Sequence, residues 1–322
     1  MSCNFKSGFA DQLAGFVEQK LALGFQYEHT IWYLHKFDEF CLNKYPLATE
    51  LTQEVCYAWA IKSENESVRS FRNRISPVRE FAKHLVRNGT DAYVLNNNFV
   101  KKPPRHQPYI YSKEDVAKIW TAFDKLESTK QYPARQLVLS AIIRVLYCCG
   151  LRPIEVRRLK TSDVDLCADK LFIRESKGHK DRIVMLADDV ATYLREYNNN
   201  VGVYFPNRKW FFPSASGDFA SSSWLNDNFL NACRSLGICA IDGKTPKMYD
   251  LRHTMATHRL YAWMKSGEEI NEKIQYLSRY MGHSQLSDTY YYIHLVPEQL
   301  QTLAGIDLSR YENLLPEVEY HD

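Results

Sequence analysis

Residues 281 to 294 read Met281-Gly282-His283-Ser284-Gln285-Leu286-Ser287-Asp288-Thr289-Tyr290-Tyr291-Tyr292-Ile293-His294. A Gly-His-Ser turn leads into a stretch whose spacing predicts a helix over 286–295, and a tyrosine stands nine residues after the histidine. Some forty residues upstream lies Tyr249-Asp250-Leu251-Arg252-His253, and about a hundred before that Gly150-Leu151-Arg152-Pro153-Ile154-Glu155. Each segment puts a glycine corner or a helix start next to a side chain able to do chemistry.

Around these segments the periodicity is mostly helical. Phe9, Leu13, Phe16, Val17 and Leu21, then Ile31, Leu34, Phe37 and Cys41, recur at three- and four-residue steps and predict two amphipathic helices separated by Gly24. A third helix is expected over 52–61, capped by Thr52. A fourth spans 66–87, with Phe71, Ile75, Val78, Ala82 and Leu85 as its apolar stripe and Pro77 expected to kink or divide it. Its cations Arg69, Arg72, Arg79, Lys83 and Arg87 lie on other faces, with Glu80 the only acid after Glu66, which balances a solvated face against a phosphate-binding one.

Lys101-Lys102-Pro103-Pro104-Arg105 then breaks the pattern, so residues 1–100 form one domain, 101–108 a stiff linker and 109–322 a second domain. In that second domain, Ser112 and Asp115 are spaced as a capping box, a long apolar helix over 134–148 stops at Gly150, and Pro153 starts a short helix. Residues 170–175 and 182–186 are strand-like around a Lys177-Gly178-His179-Lys180-Asp181 turn. Further helices are expected over 188–197, 222–236, 249–264 and 272–281.

The bulk properties exclude more than they assign. At 322 residues the chain is long enough for two cores, and 41 basic against 38 acidic side chains leave only +3, so any nucleic-acid surface must come from local clustering. Eight scattered cysteines with no C-x-x-C pair, no leader pattern and no apolar run long enough for a membrane span point to a reduced, cytoplasmic protein.

A phosphodiester resists attack because its charged oxygens repel nucleophiles. Opening one without a metal takes fixed cations on those oxygens, a general acid for the departing alkoxide, and a nucleophile. Arginine suits the clamp because its planar fork bonds phosphate oxygens in pairs and stays charged. Two arginines, a lysine, a histidine and a tyrosine would complete such a site. In this order and context they resemble the tyrosine recombinase (phage integrase) family, over residues 109 to about 294 and more weakly over 8–88.

The resemblance implies particular roles. Arg152, in an intact Gly-Leu-Arg-x-x-Glu segment, grips a non-bridging oxygen and is oriented by Glu155. Lys177, in Ser176-Lys177-Gly178-His179-Lys180-Asp181-Arg182, matches the family's hairpin lysine and is the general acid, with Lys180 as the alternative. Arg252 is the second clamp, in a box that departs from the family only at its first place. There Tyr249 replaces the usual histidine, and a phenol with a pKa of about 10 donates a hydrogen bond but shuttles protons poorly at neutral pH. His283 and the nucleophile Tyr292 complete the set, leaving Tyr290 and Tyr291 as packing residues. His253 and His258 are five apart on a helix and project to different faces, so His253 is expected to be a structural partner and no metal or cofactor is expected.

The implied fold is mainly α with a small β-sheet, a helical SAM-like core-binding domain followed by the catalytic domain, the two closing on double-stranded DNA. Arg69, Arg72, Arg79, Lys83, Lys101, Lys102 and Arg105 are the candidate backbone contacts. Tyr292 would form a 3′-phosphotyrosyl bond that a partner strand's hydroxyl reverses. The apolar tail with Leu303, Ile306, Leu308, Leu314 and Leu315 would dock on a neighbouring copy in a dimer or tetramer on DNA. The rival readings are a type IB topoisomerase and an inactive DNA-binding relative. With no arm-binding domain fitting ahead of residue 8, an Xer-like or transposon-type enzyme is expected.

Overall fold

A computed structural model describes residues 4–25, 27–100, 107–176, 180–240, 243 and 245–296. The chain divides into two compact units, Met1–Arg105 and His106–Asp322.

The first unit is four helices: α1 Ala10–Ala22, α2 Glu28–Lys44, α3 Gln53–Trp59 and α4 Val68–Arg87. Their stripes meet in one core that includes Phe9, Leu13, Phe16, Leu34, Phe37, Val55, Ile75, Val78 and Phe81. Asp38, buried in α2, accepts from the Lys6 and Ser7 N–H groups at 2.8 and 2.9 Å and so ties the approach to α1 onto α2. Of the two outcomes expected at Pro77, division does not occur: the helix runs unbroken from Val68 to Arg87. Proline removes one ladder bond, whereas Pro77, Val78, Phe81, Ala82 and Leu85 all bury against the core and so outweigh that loss.

In the second unit α5 Lys113–Asp124, α6 Arg135–Cys148 and α7 Pro153–Arg157 precede a three-stranded antiparallel sheet in the order β1 Val164–Asp165, β2 Lys170–Ser176, β3 Lys180–Met185. Then come α8 Asp188–Tyr204, α9 Ser222–Ser235, α10 Asp250–Lys265, α11 Ile270–Met281 and α12 Ser287–Tyr290, which tightens into a 3-10 turn over Tyr291–Leu295. The largely apolar α6 is the axle, packed by α5, α8 and α10. Ser112 closes the expected capping box with Asp115.

Two expectations change, and one strand appears that the sequence reading did not include. Helix α8 continues to Tyr204, seven residues past the predicted end, because Val201 still buries on the core face. Strand β1 is two residues long, too short to show alternation. The continuous helix expected over 286–295 is instead one α-turn followed by the 3-10 turn. A segment this short does not persist on helix propensity; burial of Tyr290, Tyr291, Tyr292 and Ile293 holds it, at roughly 1.5–3 kcal/mol for a fully buried large apolar side chain. Among the described residues no helix is long and apolar enough to cross a membrane.

Candidate active site

Arg152 is the N-cap of α7, in extended backbone just after the Gly150 corner, with Pro153 fixing the first helical position behind it. Its main-chain N–H donates to Glu155 Oε2 at 2.8 Å and its Nη1 to Glu155 Oε1 at 2.7 Å. Nη2 donates to the Gly282 carbonyl at 2.9 Å. Glu155 thus orients Arg152, as the resemblance implies, but it also binds a second guanidinium. Arg182 in β3 meets it with Nη1 on Oε1 at 2.9 Å and Nη2 on Oε2 at 2.8 Å, while Arg182 Nε donates to the Tyr280 carbonyl. Burial pushes the Glu155 carboxyl up, but Arg182, the Arg152 N–H and the Arg152 guanidinium outweigh it and hold it at about 2.

Arg252 sits in the first turn of α10 and is 1% exposed. Its Nη1 donates to the Gly150 carbonyl and its Nη2 to the Met281 carbonyl at 2.7 Å, while the buried Nε finds no partner among the described residues. No carboxylate lies in hydrogen-bond contact with it among the described residues. The guanidinium is therefore a buried cation whose direct partners are neutral oxygens. Burial, with help from Arg152, works against its charge, and Tyr292 and Tyr249 work for it.

Gly150 is what lets its carbonyl face Arg252. Its φ is +58°, and a Cβ there would lie 2.0 Å from the Met255 terminal methyl. Because that methyl can swing away, the left-handed backbone carries most of the cost. Gly150→Ala is expected to destabilise the protein by about 1–3 kcal/mol, read as a lower denaturant midpoint at unchanged slope; an unchanged midpoint would refute this account of the glycine.

Tyr292 is 2% exposed, in the 3-10 turn packed against α10. Its hydroxyl lies 3.1 Å from His253 Nδ1, and its ring stacks on His283 with centroids 5.9 Å apart. Burial raises the phenol well above its ordinary value, against an opposing pull from Arg252. His283 Nδ1 pairs with Thr289 Oγ1 at 2.7 Å. Burial, reinforced by Arg252, Arg152, His253 and Arg182, drives the His283 imidazole down to about 3, so it is neutral at neutral pH. Tyr249 stands at the start of α10, 39% exposed, its ring 5.1 Å from His253 and its hydroxyl without a hydrogen-bond partner among the described residues. Tyr290 and Tyr291 are buried in the same apolar cluster.

The structure thus brings Arg152, Glu155, Arg252, His283 and Tyr292 together, with Tyr249 beside them. Lys177 lies outside the described residues, as do Lys101, Lys102, Arg105 and the tail beyond residue 296. In the first unit, Arg79 is spent on the Asn96 and Asn97 carbonyls and Ser76, and Lys83 pairs with Glu80 at 2.8 Å. No hydrogen bond or ion pair holds Arg69 or Arg72 among the described residues, and Arg69 is exposed.

Two residues carry more than the sequence reading gave them. Arg182 shares a strand face with Val184 and Leu186, both buried, so the period-two rule places its charge inward and calls for a buried carboxylate. His253, expected to be a structural partner, touches the hydroxyl of Tyr292. Its spacing one turn after Tyr249 was the available signal.

Residues 111–299, the stretch that holds Arg152, Arg252, His283 and Tyr292, match the family model described as phage integrase family. The chain belongs to the phage integrase family. Among relatives of this integrase-family chain, the integrase/recombinase y4rB of Sinorhizobium fredii is 28% identical over 304 residues, covering 92% of this chain and 95% of its own. Tyrosine recombinase XerD of Staphylococcus haemolyticus is 25% identical, covering 74% and 76%. The fold is shared with the Tn1549 transposon integrase in complex with transposon right-end DNA, at a TM-score of 0.63 and 12% identity, covering 93% of this chain and 98% of that one. It is also shared with a lambda integrase dimer bound to a COC′ core site, at a TM-score of 0.61 and 16% identity, covering 90% and 78%.

Proposed function

We propose that this phage integrase family member is a site-specific DNA recombinase that cuts and rejoins strands through Tyr292. The observation that carries the reading is the buried Arg252 guanidinium, which among the described residues gives its Nη donors to neutral carbonyls and is set against a buried phenol. No carboxylate among the described residues hydrogen-bonds this cation, and a phosphodiester is an anion whose oxygens accept from arginine forks.

In the reaction the Tyr292 oxygen forms a bond to phosphorus, the bond from phosphorus to the 5′ oxygen breaks, and a 3′-phosphotyrosyl link remains. Arg152 and Arg252 hold the non-bridging oxygens, His283 donates to one of them as a neutral imidazole, and Lys177 supplies the proton to the departing 5′ oxygen. Attack by a hydroxyl from a partner duplex reverses each bond change. Bond energy is conserved, so the cycle needs no nucleotide cofactor. Glu155 fixes the first clamp, and Arg182 fixes Glu155.

The first unit adds backbone contacts through Arg69 and Arg72, together with the cations at 101, 102 and 105, and the enzyme works on double-stranded DNA as a dimer or tetramer. The lambda integrase neighbours were captured as a dimer on a core site and as a tetramer on a Holliday junction, which supports that assembly for this fold. The cytoplasm is the proposed compartment.

The test is covalent capture. Duplexes randomised on both sides of a fixed nick are incubated with the protein, denatured, and the strands that stay attached are sequenced. A recurrent half-site attached through Tyr292 supports the reading, and no attached strand overturns it. Two copies of the recovered site then separate strand exchange from rejoining of the same strand, the topoisomerase outcome. Tyr249 donates a hydrogen bond to the phosphate in this scheme. Tyr249→Phe should slow cleavage of the recovered site by about one to two powers of ten, and Tyr249→His should retain activity. An unchanged rate in Tyr249→Phe would show that the phenol merely packs.

A further inference from the structure

Cleavage by Tyr292 leaves one proton without a destination. The phenol must lose it as its oxygen bonds to phosphorus, and Tyr249, at the start of α10, is itself a phenol. One turn further along the same face of α10, four residues on, is His253. Its Nδ1 lies 3.1 Å from the Tyr292 oxygen, hydrogen-bond distance, with the two ring centroids 5.5 Å apart. The imidazole is half-buried, so it can exchange its proton with solvent after the step.

The geometry points to His253 as the catalytic proton acceptor for Tyr292. The inference rests on the reading of Tyr292 as nucleophile. As the oxygen–phosphorus bond forms, the hydroxyl proton moves to Nδ1 and the 5′ oxygen leaves with a proton from the general acid. On rejoining, His253 returns its proton to the departing tyrosine.

The other histidine at the site is poorly suited to this work. Burial and three arginines hold His283 near 3, and its Nδ1 is committed to Thr289, whereas His253 faces the nucleophile directly. Charged and titratable groups around His253 among the described residues include Tyr249 and Arg252 from α10, Tyr292 from the 3-10 turn and His283 from the corner after α11. Arg252 lowers the phenol's proton affinity while burial raises it, so the pair needs an acceptor already in contact.

The test uses the duplex recovered by covalent capture, at saturating protein and in single turnover. His253→Asn keeps an oxygen where Nδ1 lies, able to accept the phenol's hydrogen bond but not its proton. It should cleave about 10²-fold more slowly, at the low end of what a general base contributes, with DNA affinity and denaturant midpoint near wild type. A second substrate carries sulfur at the 5′ bridging position, where the leaving group departs without a proton. A variant lacking the general acid recovers on that substrate, and His253→Asn should not. With the sulfur substrate the wild-type rate should rise with pH and level off, and the levelling should vanish in His253→Asn. Imidazole added to His253→Ala should restore part of the rate.

Any of three results overturns the inference alone: a His253→Asn rate within about threefold of wild type, full recovery on the sulfur substrate, or a slow variant that keeps the wild-type pH profile. Failure of wild type to form any adduct overturns the proposed function and the inference with it.

Discussion

Tyr292→Phe should form no covalent DNA adduct while binding the recovered duplex with nearly wild-type affinity. The substitution removes one oxygen from a ring that is 2% exposed and leaves its packing on His253, His283 and Tyr291 in place. The stability change comes from the oxygen's lost contact with His253, about 1 kcal/mol for one hydrogen bond, and from its lost interaction with the Arg252 guanidinium. A labelled strand that shifts with the protein on a denaturing gel reads the adduct, and a filter or mobility assay reads binding. An adduct that persists, or that maps to Tyr290 or Tyr291, would place the nucleophile elsewhere.

Arg252→Lys should cost both activity and stability, a combination that distinguishes it from Tyr292→Phe. A single ammonium cannot present the flat fork that now serves the Gly150 and Met281 carbonyls in opposite directions. Leaving one buried carbonyl unsatisfied costs about 1–3 kcal/mol. Loss of a fixed donor to the phosphate should slow cleavage by about 10²–10³. Single-turnover cleavage and chemical denaturation measure the two effects. Retention of cleavage within threefold would remove Arg252 from the clamp.

Most of this arrangement was legible in the sequence because its parts are local. Glu155 orients Arg152 within one turn, Gly150 stops α6, and the apolar stripes of α1, α2 and α4 follow the three- and four-residue rule except at Leu21, which is exposed. What escaped was decided by partners distant along the chain. Nothing near Arg182 says that a carboxylate 27 positions earlier will meet it. The tightening after Tyr290 depends on how α10 receives that segment, which a periodicity count cannot weigh. Likewise Arg79 and Lys83 read as free cations on a helix, until the 96–97 carbonyls and Glu80 are seen to hold them.

The arginines are gripped through main-chain oxygens: Gly150 and Met281 hold Arg252, and Gly282 holds Arg152. For hereditary change this separates two kinds of position that look alike in a motif. At 281 Arg252 reads only an oxygen that every amino acid carries, while the side chain fills the apolar cluster, so descent can exchange methionine for another apolar residue of similar bulk at under about 1.5 kcal/mol. At 150 and 282 the oxygen is aimed by φ of +58° and +69°, and at 282 an added carbon would come within 3.0 Å of Arg182. Those two letters are frozen by the path of the backbone, and a lineage that loses either must rebuild a grip on an arginine a hundred or more residues away.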